Sequence, residues 1–128
     1  MKSRRAIYTV CLGSDIPKPP IFMSTPSIPC YLITDSKHQM LDLGDWKVIQ
    51  AENPTSSSRE RQAKFLRLKY HPDQLVELPK SRVFVDCSLD RIDNIESFFD
   101  HAEKTDAPMV NYFTPKPMRV RQAYNKAF

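Results

Sequence analysis

Several short runs of apolar residues, each closed by glycine, aspartate or proline, constrain this chain more than any other feature. Ala6-Ile-Tyr-Thr-Val-Cys-Leu12 is continuous rather than alternating, is rich in β-branched and aromatic residues, and stops at Gly13-Ser-Asp15. A strand that is apolar on both faces must be covered on both faces, which is the condition of a parallel sheet clad by helices. Cys30-Tyr-Leu-Ile-Thr34, Trp46-Lys-Val-Ile-Gln50 and Ser81-Arg-Val-Phe-Val-Asp-Cys-Ser-Leu89, whose Val83-Phe-Val85 is followed at once by a carboxylate, repeat the pattern, and Met109-Val-Asn-Tyr-Phe113 is expected to be a last strand.

Helical segments fall between these runs. Arg59–Tyr70 is built from good helix formers, with Ser58 in the capping position and His71-Pro72 at its end. A second, shorter helix is expected to open at Asp93 and to turn Ile92, Ile95, Phe98 and Phe99 inward. Met118 to Phe128 reads as a basic terminal helix carrying Arg119, Arg121 and Lys126. Between the first two strands, Pro17, Pro19, Pro20, Pro26 and Pro29 lock φ and remove donors, so an ordered extended loop without regular pairing is expected there. Alternating strands and helices imply an α/β fold with a mainly parallel sheet and flanking helices, a single domain over residues 1–128 whose residues 114–128 form a basic helical tail.

Composition narrows the function classes. The chain is 41% hydrophobic and 27% charged, the balance of a folded globular protein. It has no run near the roughly 20 apolar residues that a membrane span needs. Lys2, Arg4 and Arg5 precede too short an apolar stretch for a secretory signal, so a cytoplasmic location is expected. Cys11, Cys30 and Cys87 make an odd count without a Cys-x-x-Cys pair, and read as buried free thiols. His38, His71 and His101 share no ligand spacing, and no structural metal is expected. A net charge of +4 and a pI near 9.0 favour anionic partners without naming one.

In parallel α/β folds ligands gather outside the carboxyl ends of the strands. Those ends carry Gly13-Ser-Asp15, Thr34-Asp35 and Asp86-Cys-Ser88. A carboxylate that ends a strand can hold a divalent ion bridging a diphosphate, or bond a ribose hydroxyl. Arg61 and Lys64 in the first helix could neutralise phosphates. Only two glycines are present, which excludes the Walker A loop and the Rossmann glycine fingerprint, so side chains and a metal must hold any phosphate.

Taken in order, several segments resemble one family, the GT-A-like glycosyltransferase domains of bacterial surface-polysaccharide clusters and plant mucilage-related proteins. The resemblance rests on Ile7-Tyr-Thr-Val-Cys-Leu-Gly-Ser-Asp-Ile-Pro17, Tyr31-Leu-Ile-Thr-Asp35, Gly44-Asp-Trp-Lys-Val48, Arg61-Gln-Ala-Lys-Phe-Leu-Arg-Leu-Lys69 and Val83-Phe-Val-Asp-Cys-Ser88, and covers about residues 5 to 100. It implies a nucleotide-sugar donor and a divalent metal, Mn²⁺ or Mg²⁺. It further implies that Tyr8 and Thr9 flank the nucleoside, that Asp35 approaches base or ribose, that Arg61 and Lys64 face the phosphates, and that Asp86 with Ser88 replaces the Asp-x-Asp metal motif, Asp86 being the metal ligand. Three features depart from the family pattern. Gly13 lacks the aromatic residue that follows it there, Thr114 stands where a histidine is usual, and the likeness ends before the acceptor-side half. The expectation is therefore a donor-binding half whose acceptor side is completed by a protein partner or by a second copy. The alternative is a non-enzymatic descendant that binds nucleic acid or an acidic protein through its basic surface.

Overall fold

The computed structural model describes residues 4–14, 16–37, 43–51, 57–105 and 111–112. The expected basic tail, Asp15, His38 and most of the expected last strand lie outside them.

The main elements, in chain order, are β1 (Arg5–Cys11), β2 (Ile21–Phe22), β3 (Cys30–Thr34), β4 (Trp46–Gln50), α1 (Ser58–Tyr70), a 3₁₀ turn (Pro72–Gln74), β5 (Ser81–Val85), β6 (Arg91–Ile92), α2 (Ile95–Thr105) and β7 (Asn111–Tyr112). Five strands form one sheet in the order β4-β3-β1-β5-β7, and every pairing in it is parallel. The fold is therefore α/β with a parallel sheet between helices. The chain first builds outward from β1 through β3 to β4, then returns across the sheet through α1 to lay β5 on the other side of β1.

The continuous apolar run of β1 is explained by its central position. Ala6, Tyr8 and Val10 point to one face, where they meet Leu68 of α1 and Leu78, while Ile7 points to the other, with Leu32, Val83, Val85, Ile95 and Phe99. From Ala6 to Val10 no residue is more than 3% exposed. Burial of that order contributes roughly 1.5–3 kcal/mol for each large aliphatic or aromatic side chain.

The proline-rich crossover differs from expectation in one respect. Ile21–Phe22 does pair, in parallel, with Arg91–Ile92, forming a small second sheet. The prolines sit just outside the bonded residues, so the donors are Ile21 N to Asp90 O and Met23 N to Ile92 O, and no proline nitrogen is needed. Pro17 and Pro20 are fully buried. Trp46 holds the crossover against the sheet: its indole Nε1 donates to Pro20 O at 2.9 Å and its ring lies 5.2 Å from that of Phe22.

Both helices begin close to where expected, each with a shifted cap. Ser57, not Ser58, caps α1, and its side chain accepts from Glu60 N. For α2 the first carbonyl to accept a helical bond is that of Asn94, from Phe98 N, one residue after the expected Asp93. Asn94 takes a left-handed φ of 54°, which asparagine tolerates better than most residues. Arg5 anchors α2 to the start of β1. Its guanidinium contacts Asp100 at 2.6 Å and Glu103 at 2.9 Å and lies over the Phe99 ring. Among the described residues no helix is long and apolar enough to cross a membrane.

Candidate functional site

The strand order reverses direction between β1 and β5, where one half of the sheet is built outward from β1 and the other begins beside it. At such a switch point the loops leaving neighbouring strands diverge to opposite faces and open a crevice at the carboxyl edge. Here that edge is formed by Leu12-Gly13 after β1, Asp35-Ser36 after β3 and Asp86-Cys87-Ser88 after β5.

Hydrogen bonds hold these loops in place. Asp35 Oδ1 accepts the Gly13 amide at 2.9 Å, tying the β1 loop to the β3 loop. Gly13 has a φ of +85°, a conformation that a side chain would strain. Thr34 Oγ1 accepts from Ser36 N, and Gln50 Nε2 donates to Ser36 O, which fixes the β3 loop against β4. After β5 the chain turns sharply: Asp86 Oδ1 accepts Ser88 N at 2.9 Å and Asp86 O accepts Leu89 N. Such a turn is a regular use of aspartate, and it leaves the Asp86 and Ser88 side chains exposed at the mouth of the crevice.

α1 delivers a cation to the same edge. Because α1 follows β4, its first turn starts at the carboxyl side, and Arg61, Phe65 and Leu68 share its sheet-facing stripe. The Arg61 side chain lies over Gly13, where a Cβ would stand 3.5 Å from Arg61 Cδ. Its Nε is buried with no hydrogen-bond partner among the described residues. A buried donor left unpaired costs about 1–3 kcal/mol, so its retention points to a use for that donor. Lys64 is half-buried one turn on.

The expected site residues therefore separate into two groups. Asp35, Arg61, Asp86 and Ser88 are on elements that meet at the carboxyl edge. Tyr8 and Thr9 are not. Tyr8 is in mid-strand on the α1 face, its ring edge-on to Phe84 and its hydroxyl donating to the Lys69 carbonyl. Burial holds its phenol well above the ordinary range. Thr9 points to the opposite face, fully buried, its hydroxyl without a partner among the described residues. Among the described residues no group of three or more His, Cys, Asp or Glu gathers in a metal-binding arrangement. Two open clefts of about 280 and 300 Å³ lie at the amino end of the sheet, around Arg5, Leu78 and Pro79 and around Arg4, Ser27 and Glu96. Neither is lined by an expected site residue.

Sequence reasoning missed the two thiols at this edge. Cys30 is buried as expected, which pushes its thiol up to about 12. Cys11 and Cys87 are only half-buried. The Cys87 thiol, with a smaller contribution from the Lys18 backbone N–H, brings Cys11 down to about 7 against the opposing effects of burial and Asp35, while Cys87 is pushed up. The expected consequence is that Cys11 alkylation by iodoacetamide, followed against pH, has its midpoint near 7. A midpoint at the about 8.5 of a free thiol would contradict this influence on Cys11.

Comparison with known protein families, with curated proteins and with solved structures finds no match to this chain.

Proposed function

We propose that the chain binds the diphosphate of a nucleotide-sugar at the carboxyl edge between β1 and β5, as the donor-binding part of a GT-A-like glycosyltransferase. The observation that carries this reading is the switch point itself, with Arg61, Asp35 and Asp86 arriving there from three separate elements. The ordered sequence resemblance supports it independently.

The residues suit a weakly held hard cation. Mg²⁺ or Mn²⁺ bound with a diphosphate takes one or two protein carboxylates and completes its shell with phosphate oxygens and water. Asp86 is an exposed carboxylate with one oxygen already oriented by the Ser88 amide, a single-carboxylate site of that kind. When bound, the metal would offset the charge that develops on the leaving diphosphate. Arg61 adds a fixed positive charge and, through Nε, a donor that is already desolvated. Asp35, whose Oδ1 accepts the Gly13 amide, would accept a ribose hydroxyl in this reading. The acceptor is supplied by a protein partner or by a second copy.

Thermal denaturation in the presence of nucleoside diphosphates and nucleotide-sugars, with and without Mn²⁺, tests this. At a concentration near 100 times Kd, stabilisation of about 2.7 kcal/mol is expected. It should require the metal and disappear in Asp86→Ala. Folded protein that responds to none of these ligands would remove the proposal. Metal-independent stabilisation by polyanions, lost in salt, would favour binding of nucleic acid or an acidic protein instead.

A further inference from the structure

The two helices cover opposite faces of the main sheet, α1 against Ala6, Tyr8 and Val10 and α2 against Ile7, Val83 and Val85. Their charges are opposite as well. In α1 five cations, Arg59, Arg61, Lys64, Arg67 and Lys69, stand against one carboxylate, Glu60. The formal charge of the whole chain, +4, is thus matched within thirteen residues. In α2 the carboxylates Glu96, Asp100 and Glu103 outnumber Lys104. A merely solvated surface intersperses its signs, whereas segregation by face builds a field that draws one kind of partner. With Phe65 and Leu68 packed on the sheet, Arg59, Ala63, Leu66 and Tyr70 form the ridge of α1 that points away from it, and all four are exposed. Lys64 and Arg67 line one flank of that ridge and Lys69 the other. Among the described residues Arg59, Lys64 and Arg67 form no ion pair.

We propose that the outer face of α1 binds double-stranded DNA through its phosphates, the helix lying along the major groove. This inference does not rest on the nucleotide-sugar reading, which uses Arg61 on the opposite, sheet-facing stripe of the helix. Thirteen residues span about 20 Å, the length of roughly six base pairs. A helix about 10–12 Å across fits a major groove about 12 Å wide. Cations on both flanks of the ridge then meet the phosphates of both strands, and Arg59 meets them at the amino end. Lys69 is already aimed, its Nζ standing over the rings of Tyr70 and Phe84 at 5.5 and 5.1 Å. The same geometry weighs against other nucleic acids. The major groove of A-form RNA is too narrow for side chains to read. A single strand is held by a succession of open aromatic faces, and the ridge offers one ring, Tyr70, which Lys69 partly covers. Ala63 and Leu66 at the centre of the ridge have no polar group to read a base edge, so the contacts position the duplex without selecting its sequence.

The experiment uses the full chain. A short labelled DNA duplex of arbitrary sequence is titrated with protein by fluorescence anisotropy at several salt concentrations, without added metal. Affinity is expected to fall with salt at a log–log slope of about −3 to −4, for four cations each releasing about 0.9 counterion, and to change little with base sequence. Arg59→Gln/Arg67→Gln, at two exposed positions, should weaken binding at least about tenfold and flatten the slope by about 2, with no change in melting temperature. Arg91→Gln/Lys104→Gln removes the same charge from exposed positions of β6 and α2 and should bind as the parent does. An equal loss in both double variants would reduce the effect to net charge, and no loss in the first would put the binding on other residues, such as the basic segment 114–128; either result overturns the proposal. So would binding to single-stranded DNA, an RNA duplex or polyglutamate as tight as to the DNA duplex, or no binding by folded protein at low salt.

Discussion

Phe99→Ala is expected to lower the melting temperature by roughly 10–20 °C, at about 3–5 °C per kcal/mol for a domain of this size. Phe99 is 1% exposed and is the most deeply buried side chain of α2. It fills the space above Ile7, Val83 and Val85 on one face of the sheet. Removing a buried phenylalanine ring costs about 3–5 kcal/mol, partly in lost transfer energy and partly in the cavity that remains. Here a second loss follows, because Arg5 uses the same ring as a platform while bonding Asp100 and Glu103. These ion pairs are near the surface and contribute little by themselves, so the ring dominates. Against a total stability of about 5–15 kcal/mol the change is large. Leu66→Ala, on an exposed part of α1, is the control and should stay within about 0.5 kcal/mol of the parent. Equal melting temperatures for Phe99→Ala and Leu66→Ala in a calorimetric scan would mean that α2 does not cover this face.

The second large effect is on binding rather than folding. Arg61→Ala is expected to weaken the nucleoside diphosphate complex by about 30- to 100-fold, the equivalent of roughly 2–3 kcal/mol for a charged hydrogen-bonding group. The same substitution should leave stability unchanged or slightly raised, because it removes a buried Nε that has no partner among the described residues. The pairing of a functional loss with no structural cost is what separates a ligand-directed cation from a packing residue. Arg61→Lys keeps the charge but not the planar fork, and should recover only part of the affinity. Isothermal titration beside a melting curve distinguishes the cases. Unaltered affinity in Arg61→Ala would place the phosphates elsewhere.

How far the sequence reveals this molecule depends on the range of the interaction involved. β3 and β4 are legible to the residue, since a buried parallel strand imposes a continuous apolar run with a polar stop. The pairing of Ile21–Phe22 with Arg91–Ile92 was hidden because proline density argues against strands and the partner is distant in sequence. The caps at Ser57 and Asn94 differ by one residue from expectation because serine and asparagine neighbours compete for the same position. At the candidate site, Asp35, Arg61, Asp86 and Ser88 are recognisable as polar residues at element ends. Tyr8 and Thr9 are not resolved in this way: alternation along β1 sends their side chains to opposite faces, and only the sheet's two cores show that both are covered. That Cys11 and Cys87 belong to the ends of adjacent strands could not be read from spacing, since nothing in a sequence announces which strands will be neighbours.

The central position of β1 also has a meaning for synthesis. Ile7 pairs with Cys30 on one side and with Val83 on the other. As the chain leaves the ribosome, β1 emerges before β3 and β5, and its second flank remains without its partner until β5 appears 76 positions later. At about 5–20 residues per second, that interval lasts roughly 4–15 seconds. Throughout it a fully apolar strand keeps one row of backbone donors and acceptors open to any other chain nearby. The newborn protein is thus most vulnerable to mispairing at the centre of this sheet, and a chaperone that shields Arg5–Cys11 would protect the whole of it.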